Sequence, residues 1–189
     1  MSPNPNLNAA IAAAPRMTPT EALTRGFTAV PAMPAPAAAS RDESAWRGQG
    51  FRVGPLGLMV GYADGSELME LPAVYRLPNA PAWFLGIANL HGAMTPVFDL
   101  ATYLGVTPDP TAKRMLLVLL HGADAAGVVI DGLPRRLRRE AGALQHEGTA
   151  PPQLAGHVHG ATLIDDQLWF DLDVRSLLGT LEQVLADAR

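Results

Sequence analysis

RLPNAPAWFLGIANLHGAMTPVFDLATYLGV, residues 76–106, runs from a proline-marked turn through two apolar runs into a helix signal. Between the apolar runs stand Asn89, His91 and Gly92, residue types that suit a turn. AMTPVF reads as a strand, with Pro96 placing it at an edge or a bulge. Asp99 then stands where a helix N-cap is wanted, Leu100 and Leu104 share a face, and Gly105 is a C-terminal stop. Asn89, His91 and Asp99 also form the one group here with catalytic potential, since an Asp can orient a His that acts as a base.

That enzymatic reading finds little support around it. No Ser, Cys or Thr lies in a nucleophile context, and there is no Gly-x-Ser-x-Gly. P-loop, dinucleotide and HExxH signatures are absent as well. The chain has no cysteine, which removes disulfides and thiolate chemistry. His157 and His159, two apart, would share a face in a strand and could reach one metal ion, with Asp165, Asp166 or His146 as a third ligand. A small hydrolase or metal-dependent enzyme built on His91, or on His157 and His159, is therefore the alternative to a binding module.

The charge balance argues against nucleic acid. The 189 residues carry a formal net charge of −4, and a polyanion is not the default partner of an acidic chain. The one dense basic run, PRRLRRE at 134–140, has no interleaved aromatics. A solvated strand edge or hairpin is its first reading, an acidic protein surface its second. A nucleic-acid surface made by Arg135, Arg136, Arg138 and Arg139 ranks last. The longest stretch free of Asp, Glu, Lys and Arg outside the N-terminal region, residues 77–98, contains three prolines, two asparagines and a histidine, so no membrane insertion is expected. Without a signal-peptide pattern, a cytoplasmic location follows as an expectation.

Residues 1–45 hold seven prolines and 13 alanines with a single aromatic, Phe27. Such a composition cannot bury enough apolar surface to offset ordering, so a disordered tail is expected, with a short helix possible at 19–25. A folded domain is expected over 46–189. FRVGPLGLMVGYADG reads as two strands about 55–57, and ELMELPAVYRL as two short pieces broken by Pro72. RMLLVLLHG and AAGVVIDGLP read as buried strands, the second ended by a turn at Asp131-Gly132. HVHGATLIDDQLWFDL gives a hairpin about Asp165-Asp166, followed by a C-terminal helix. VFDLATYLG (97–105) and WFDLDVRSLLG (169–179) look alike, with Asp99 and Asp171 in register 72 residues apart. GIANLHG (86–92) and GHVHG (156–160) sit upstream of each. Two related halves follow, and many short strands punctuated by Gly and Pro favour small barrels.

The ordered blocks PAWFLGIANLHG and TPVFDL resemble the signature region of the CheW family, the chemotaxis coupling proteins. RMLLVLLHGADAAGVVIDGL is similar to that family's central strand pair, and LWFDLDVRSLL to its closing strand and helix; the likeness covers about residues 48–180. AWRGQGFRVGPLGLMV (45–60) resembles the start of the PilI-like branch, the adaptors of type IV pilus (twitching) signalling. The resemblance implies a mainly β fold of two five-stranded SH3-like barrels with short helices and a C-terminal helix. It implies no enzyme and no cofactor. The partners it implies are the cytoplasmic tip of a methyl-accepting chemoreceptor, docking at Asn89, Leu90, His91 and Gly92, and the regulatory domain of a CheA-type histidine kinase, docking at Val128, Val129, Ile130 and Asp131. His91 stands where the family carries arginine, so a fixed charge and a planar fork of donors are replaced by an imidazole.

Overall fold

The computed structural model describes residues 45–140, 142–144 and 150–187, except the side chain of Ser66. Residues 1–44 of the tail expected over 1–45, the helix at 19–25 and His146 lie outside them. Among the described residues nine strands and two helices follow in order: β1 (Trp46–Val53), β2 (Leu56–Gly61), β3 (Gly65–Glu70), β4 (Phe84–Leu90), β5 (Ala93–Phe98), α1 (Leu100–Leu104), β6 (Arg114–Leu119), β7 (Ala126–Arg139), β8 (Val158–Ile164), β9 (Gln167–Leu172) and α2 (Val174–Asp187). A 3₁₀ turn, Gly122–Asp124, precedes β7. No helix among the described residues is long and apolar enough to cross a membrane.

β7 is the key to the architecture. Its first part pairs antiparallel with β6, from Ala126 opposite Leu119 to Asp131 opposite Arg114, and parallel with β5 at Gly127 and Val128. Its second part pairs with β1, Arg135 opposite Gly50 and Arg139 opposite Trp46. One half is thus β3-β6-β7-β5-β4 and the other β7-β1-β2-β9-β8, five strands each with β7 in common. The turn expected at Asp131-Gly132 does not form. Gly132, with φ +74°, kinks a continuous strand and hands it from one half to the other. In the first half the chain beyond Pro72 makes only a bridge, Tyr75 to Ile87 of β4, which folds that edge back on itself.

Alternation along the strands divides the core into three. Val128 and Ile130 of β7, Leu117 and Leu119 of β6, Leu58 and Val60 of β2, and Phe170 and Leu172 of β9 face a large core between the halves. Leu100, Leu104, Leu177 and Leu181 bring both helices onto it. The intervening residues point inward: Val129, Leu116, Val118 and Val97 into the first half, Met59, Leu137 and Trp169 into the second.

The halves are structural repeats, at a spacing of 74 residues. Phe84 and Val158 open hairpins of equal length, and Ala93 and Gln167 open the return strands. Each first strand carries a bulge at a glycine, Gly86 or Gly160, with positive φ. Each turn is a two-residue loop with both residues left-handed, His91-Gly92 and Asp165-Asp166. This corrects the sequence alignment by two residues. The counterpart of the cap Asp99 is Asp173, whose carboxylate accepts from Ser176 N at 2.9 Å, while Asp171 lies inside β9. GHVHG is likewise no counterpart of the Asn89 turn, because it leads into β8 instead of leaving it.

Candidate functional site

The β4–β5 turn is exposed, as is the chain that follows it to Met94. Leu90 is buried beneath it, and Asn89 Oδ1 accepts from Gly92 N at 2.8 Å, closing the loop from inside. His91 is held at φ +52° with its side chain 73% exposed. Its Nε2 lies 3.0 Å from both oxygens of Glu67 on β3. This contact ties the hairpin tip to the far edge strand of the same half. Met94, 64% exposed, and Tyr75, 67% exposed, add apolar surface to this half.

Asp99 takes no part in that turn. It caps α1, accepting from Ala101 N at 3.1 Å and Thr102 N at 3.3 Å, and meets Arg114 Nη2 at 3.0 Å. His91 precedes β5 and Asp99 follows it, so the extended strand holds them on the order of 25 Å apart. The Asn–His–Asp grouping is therefore a feature of the sequence that the fold pulls apart.

The other histidines are separated too. His157 Nδ1 meets Ser176 Oγ on α2 at 2.7 Å, whereas His159 lies on the exposed side of β8. Among the described residues no three His, Asp or Glu side chains are grouped to hold a metal ion.

Val128, Val129, Ile130 and Asp131 stand in the middle of β7 and are all buried. Their side chains are buried in the isolated chain, where the resemblance implies a kinase-docking segment. Asp131 is a strut: Oδ2 accepts from Gly54 N at 2.6 Å and Asp109 N at 3.2 Å, joining the β1–β2 turn to the loop before β6. Oδ1 faces Arg114 Nε at 3.7 Å, so Arg114 spans Asp99 and Asp131.

Large apolar side chains are exposed on the second half instead. Leu163 and Leu168 are cross-strand partners in the β8–β9 hairpin, and Leu133 follows the kink in β7. Arg135 reaches the tip of that hairpin, 2.9 Å from Asp165, and stacks over Trp169 at 4.9 Å. Arg139 is drawn inward, 2.8 Å from Asp171 and over Trp46 at 5.1 Å. Burial pushes the Asp171 carboxyl above the usual carboxylate range, and the Arg139 charge offsets this only in part. Glu67, Arg114 and Arg139 had no local signal in the sequence, because their partners lie 24 or more residues away or on other strands.

A family model described as the CheW-like domain matches residues 47–182. Protein PilI of Pseudomonas aeruginosa is 33% identical over 87 residues, 46% of this chain and 49% of that protein. A probable chemotaxis protein CheW of Rhizobium etli is 33% identical over 84 residues, 44% of this chain and 54% of that protein. The match thus spans about half the length of these curated relatives. The crystal structure of the scaffolding protein CheW from Thermoanaerobacter tengcongensis superposes with a TM-score of 0.62 at 18% identity, over 70% of this chain and 86% of that one.

Proposed function

The chain belongs to the CheW-like domain family, and from that membership we propose that it is a non-enzymatic adaptor between a chemoreceptor and a CheA-type histidine kinase. It works in the cytoplasm, in chemotaxis or type IV pilus signalling; the PilI-like block at 45–60 favours the pilus branch. The observation that carries the reading is the exposed β4–β5 turn, held in shape by two side-chain contacts. Asn89 and Glu67 hold its shape, and Asn89, His91 and Gly92 face solvent above the buried Leu90.

The receptor's cytoplasmic tip docks at this turn. An imidazole replaces the family's arginine there, so the contact is made by a smaller donor already shared with Glu67. The kinase regulatory domain docks on the apolar side chains Leu133, Leu163 and Leu168. Val128, Val129, Ile130 and Asp131, the segment the resemblance assigns to the kinase, lie buried in the same strand as Leu133, and Arg135 holds the hairpin tip through Asp165. Exposed leucines on neighbouring elements are the kind of surface that protein partners cover.

Isothermal titration of the purified chain with the kinase regulatory domain, and separately with a receptor signalling tip, tests the reading. Both are expected to bind. Leu163→Asp/Leu168→Asp loses the kinase and keeps the receptor, and His91→Ala does the reverse. Absence of kinase binding, together with no change in receptor-coupled autophosphorylation, would sink the proposal.

A further inference from the structure

The basic run 134–140 does not act as one block. β7 is extended there, so its side chains alternate between faces. Arg135, Leu137 and Arg139 turn into the second half, onto Trp169, the interior cluster and Asp171. Arg136 and Arg138 turn the other way. On the paired strand β1, Arg47 stands directly opposite Arg138, and Gln49 opposite Arg136. Tyr62, just past β2 and 49% exposed, closes the side of the same surface.

Between these residues lies an open cleft of about 500 Å³, lined by Arg47, Tyr62, Arg136, Leu137 and Arg138. Among the described residues no carboxylate lines it. Arg47 and Arg136 make no ion pair or hydrogen bond among the described residues, whereas the inward Arg135 and Arg139 each have a carboxylate partner. Three arginines and the phenol of Tyr62 thus line this cleft among the described residues.

We propose that this cleft binds an extended acidic segment of a partner protein, with carboxylates on alternate residues. The spacing carries the assignment. Arg136 and Arg138 are two residues apart on a strand, about 7 Å along it, and Arg47 faces Arg138 from about 5 Å across the ladder. An extended peptide repeats its own alternate side chains at that same interval of about 7 Å. Guanidinium forks take carboxylates in a bidentate manner, and the Tyr62 ring offers an apolar wall with a hydroxyl tip. β1 already lies between β7 and β2 here, and the three arginines stand on the face of the β1–β7 ladder, so recognition is by side chains. A nucleic acid fits less well. The chain is net negative, and screening over about 8 Å leaves a short patch attractive to a short segment while a long polyanion meets the acidic remainder. This surface is separate from the β4–β5 turn and does not depend on the adaptor reading.

The test is fluorescence anisotropy of a labelled octapeptide alternating glutamate and serine, titrated with the full-length chain; a glutamine–serine octapeptide serves as control. The glutamate peptide is expected to bind and the glutamine peptide not to bind. Affinity should fall by about tenfold between about 50 mM and about 300 mM salt. Arg47→Gln/Arg136→Gln should weaken binding by about tenfold, while Arg175→Gln, which loses only an exposed pair with Asp124, should leave it unchanged. Circular dichroism of each variant checks the fold. Absence of binding, equal binding by Arg47→Gln/Arg136→Gln, or affinity indifferent to salt would overturn the proposal. Tighter binding of a single-stranded oligonucleotide, with the same dependence on Arg47 and Arg136, would overturn the choice of partner.

Discussion

Replacing Arg139 by methionine keeps the length of the side chain over Trp46 and removes the charge facing Asp171. The two side chains are 11% and 7% exposed and 2.8 Å apart, so the carboxylate is left without its ion-pair partner in a nearly dry interior, with His159 as the remaining group that favours its charge. At an effective dielectric of about 20, the lost attraction is about 4 kcal/mol at a charge separation near 4 Å. The stranded carboxylate has one escape, which is to take up a proton. That sets a ceiling on the cost of about 1.4 kcal/mol for each pH unit above the ordinary value near 3.9, hence about 5 kcal/mol at pH 7.5 and about 1.5 kcal/mol at pH 5. The expected deficit is then about 4 kcal/mol at neutral pH, within the range for breaking a buried pair, and below about 1.5 kcal/mol at pH 5, because burial has already raised the native carboxyl.

The sign follows from the direction of the shift. Burial already raises the Asp171 carboxyl in the native state. The native protein therefore holds that proton more tightly than the unfolded chain. The stability this gives is complete below the unfolded value and is lost as pH rises through the raised native one. Removing Arg139 moves the native value further up and widens the window. Urea unfolding at the two pH values, followed by the fluorescence of Trp169 and Trp46 in the same half, measures both deficits. Arg139→Met/Asp171→Asn should recover most of the loss at neutral pH, because no buried charge remains. A deficit equal at both pH values, or below about 1 kcal/mol at neutral pH, would refute the reasoning.

Asp173→Ala removes the cap on α2 and should cost about 1 kcal/mol in urea unfolding; Asp99→Ala should cost more, because Arg114 loses a partner along with the cap. Gly86→Ala should cost about 3 kcal/mol or more, since φ is +133° and a Cβ would run into the Tyr75 carbonyl, breaking the bridge between Tyr75 and Ile87. His91→Ala should change stability by less than about 0.5 kcal/mol, given its exposure, while weakening receptor-tip binding measured by titration. His91→Arg should keep the Glu67 contact and bind that tip more tightly, because the fork supplies donors beyond the one Glu67 uses.

What the sequence made legible was local. The Asp99 cap, the Gly105 stop with φ +66° and the Asp165-Asp166 turn each depend on residues within a few positions, and each formed as read. The errors fall where a distant strand decides. Asp131-Gly132 has the composition of a turn, but β1 and β6 both pair with the strand around it, and the glycine serves as a kink instead. Asp171 matches Asp99 in its FDL context. The hairpin lengths and the bulge at Gly160 nonetheless put it two residues short of the cap. Two further features had a signal in hand. The unbroken run of Val128, Val129 and Ile130 is the mark of a strand covered on both faces, and so of core. Period two applied to RRLRR would have sorted its arginines onto opposite faces before any partner was considered.

The repeat also explains how one small domain can present unlike ends. Hairpin length, bulge glycine, turn geometry and helix cap are shared by the two halves, because each is needed to curl five strands around an apolar interior. The turn side chains are not bound by that need, since they point outward, and there the halves diverge. The first turn carries His91 and is steadied by a carboxylate, Glu67. The second carries Asp165 and is steadied by a guanidinium, Arg135. The exchange of donor for acceptor keeps each tip pinned to its own half while reversing the group it shows to solvent. Neighbouring positions differ in the same way: exposed Asn89 in the first hairpin corresponds to exposed Leu163 in the second. A partner selected by hydrogen bonding at the first tip would leave those donors unpaired against the apolar second hairpin, and a partner selected by apolar contact would bury Asn89 unsatisfied at the first. On the adaptor reading proposed above, this divergence would keep the partners of the two ends from exchanging places, which identical halves would not do.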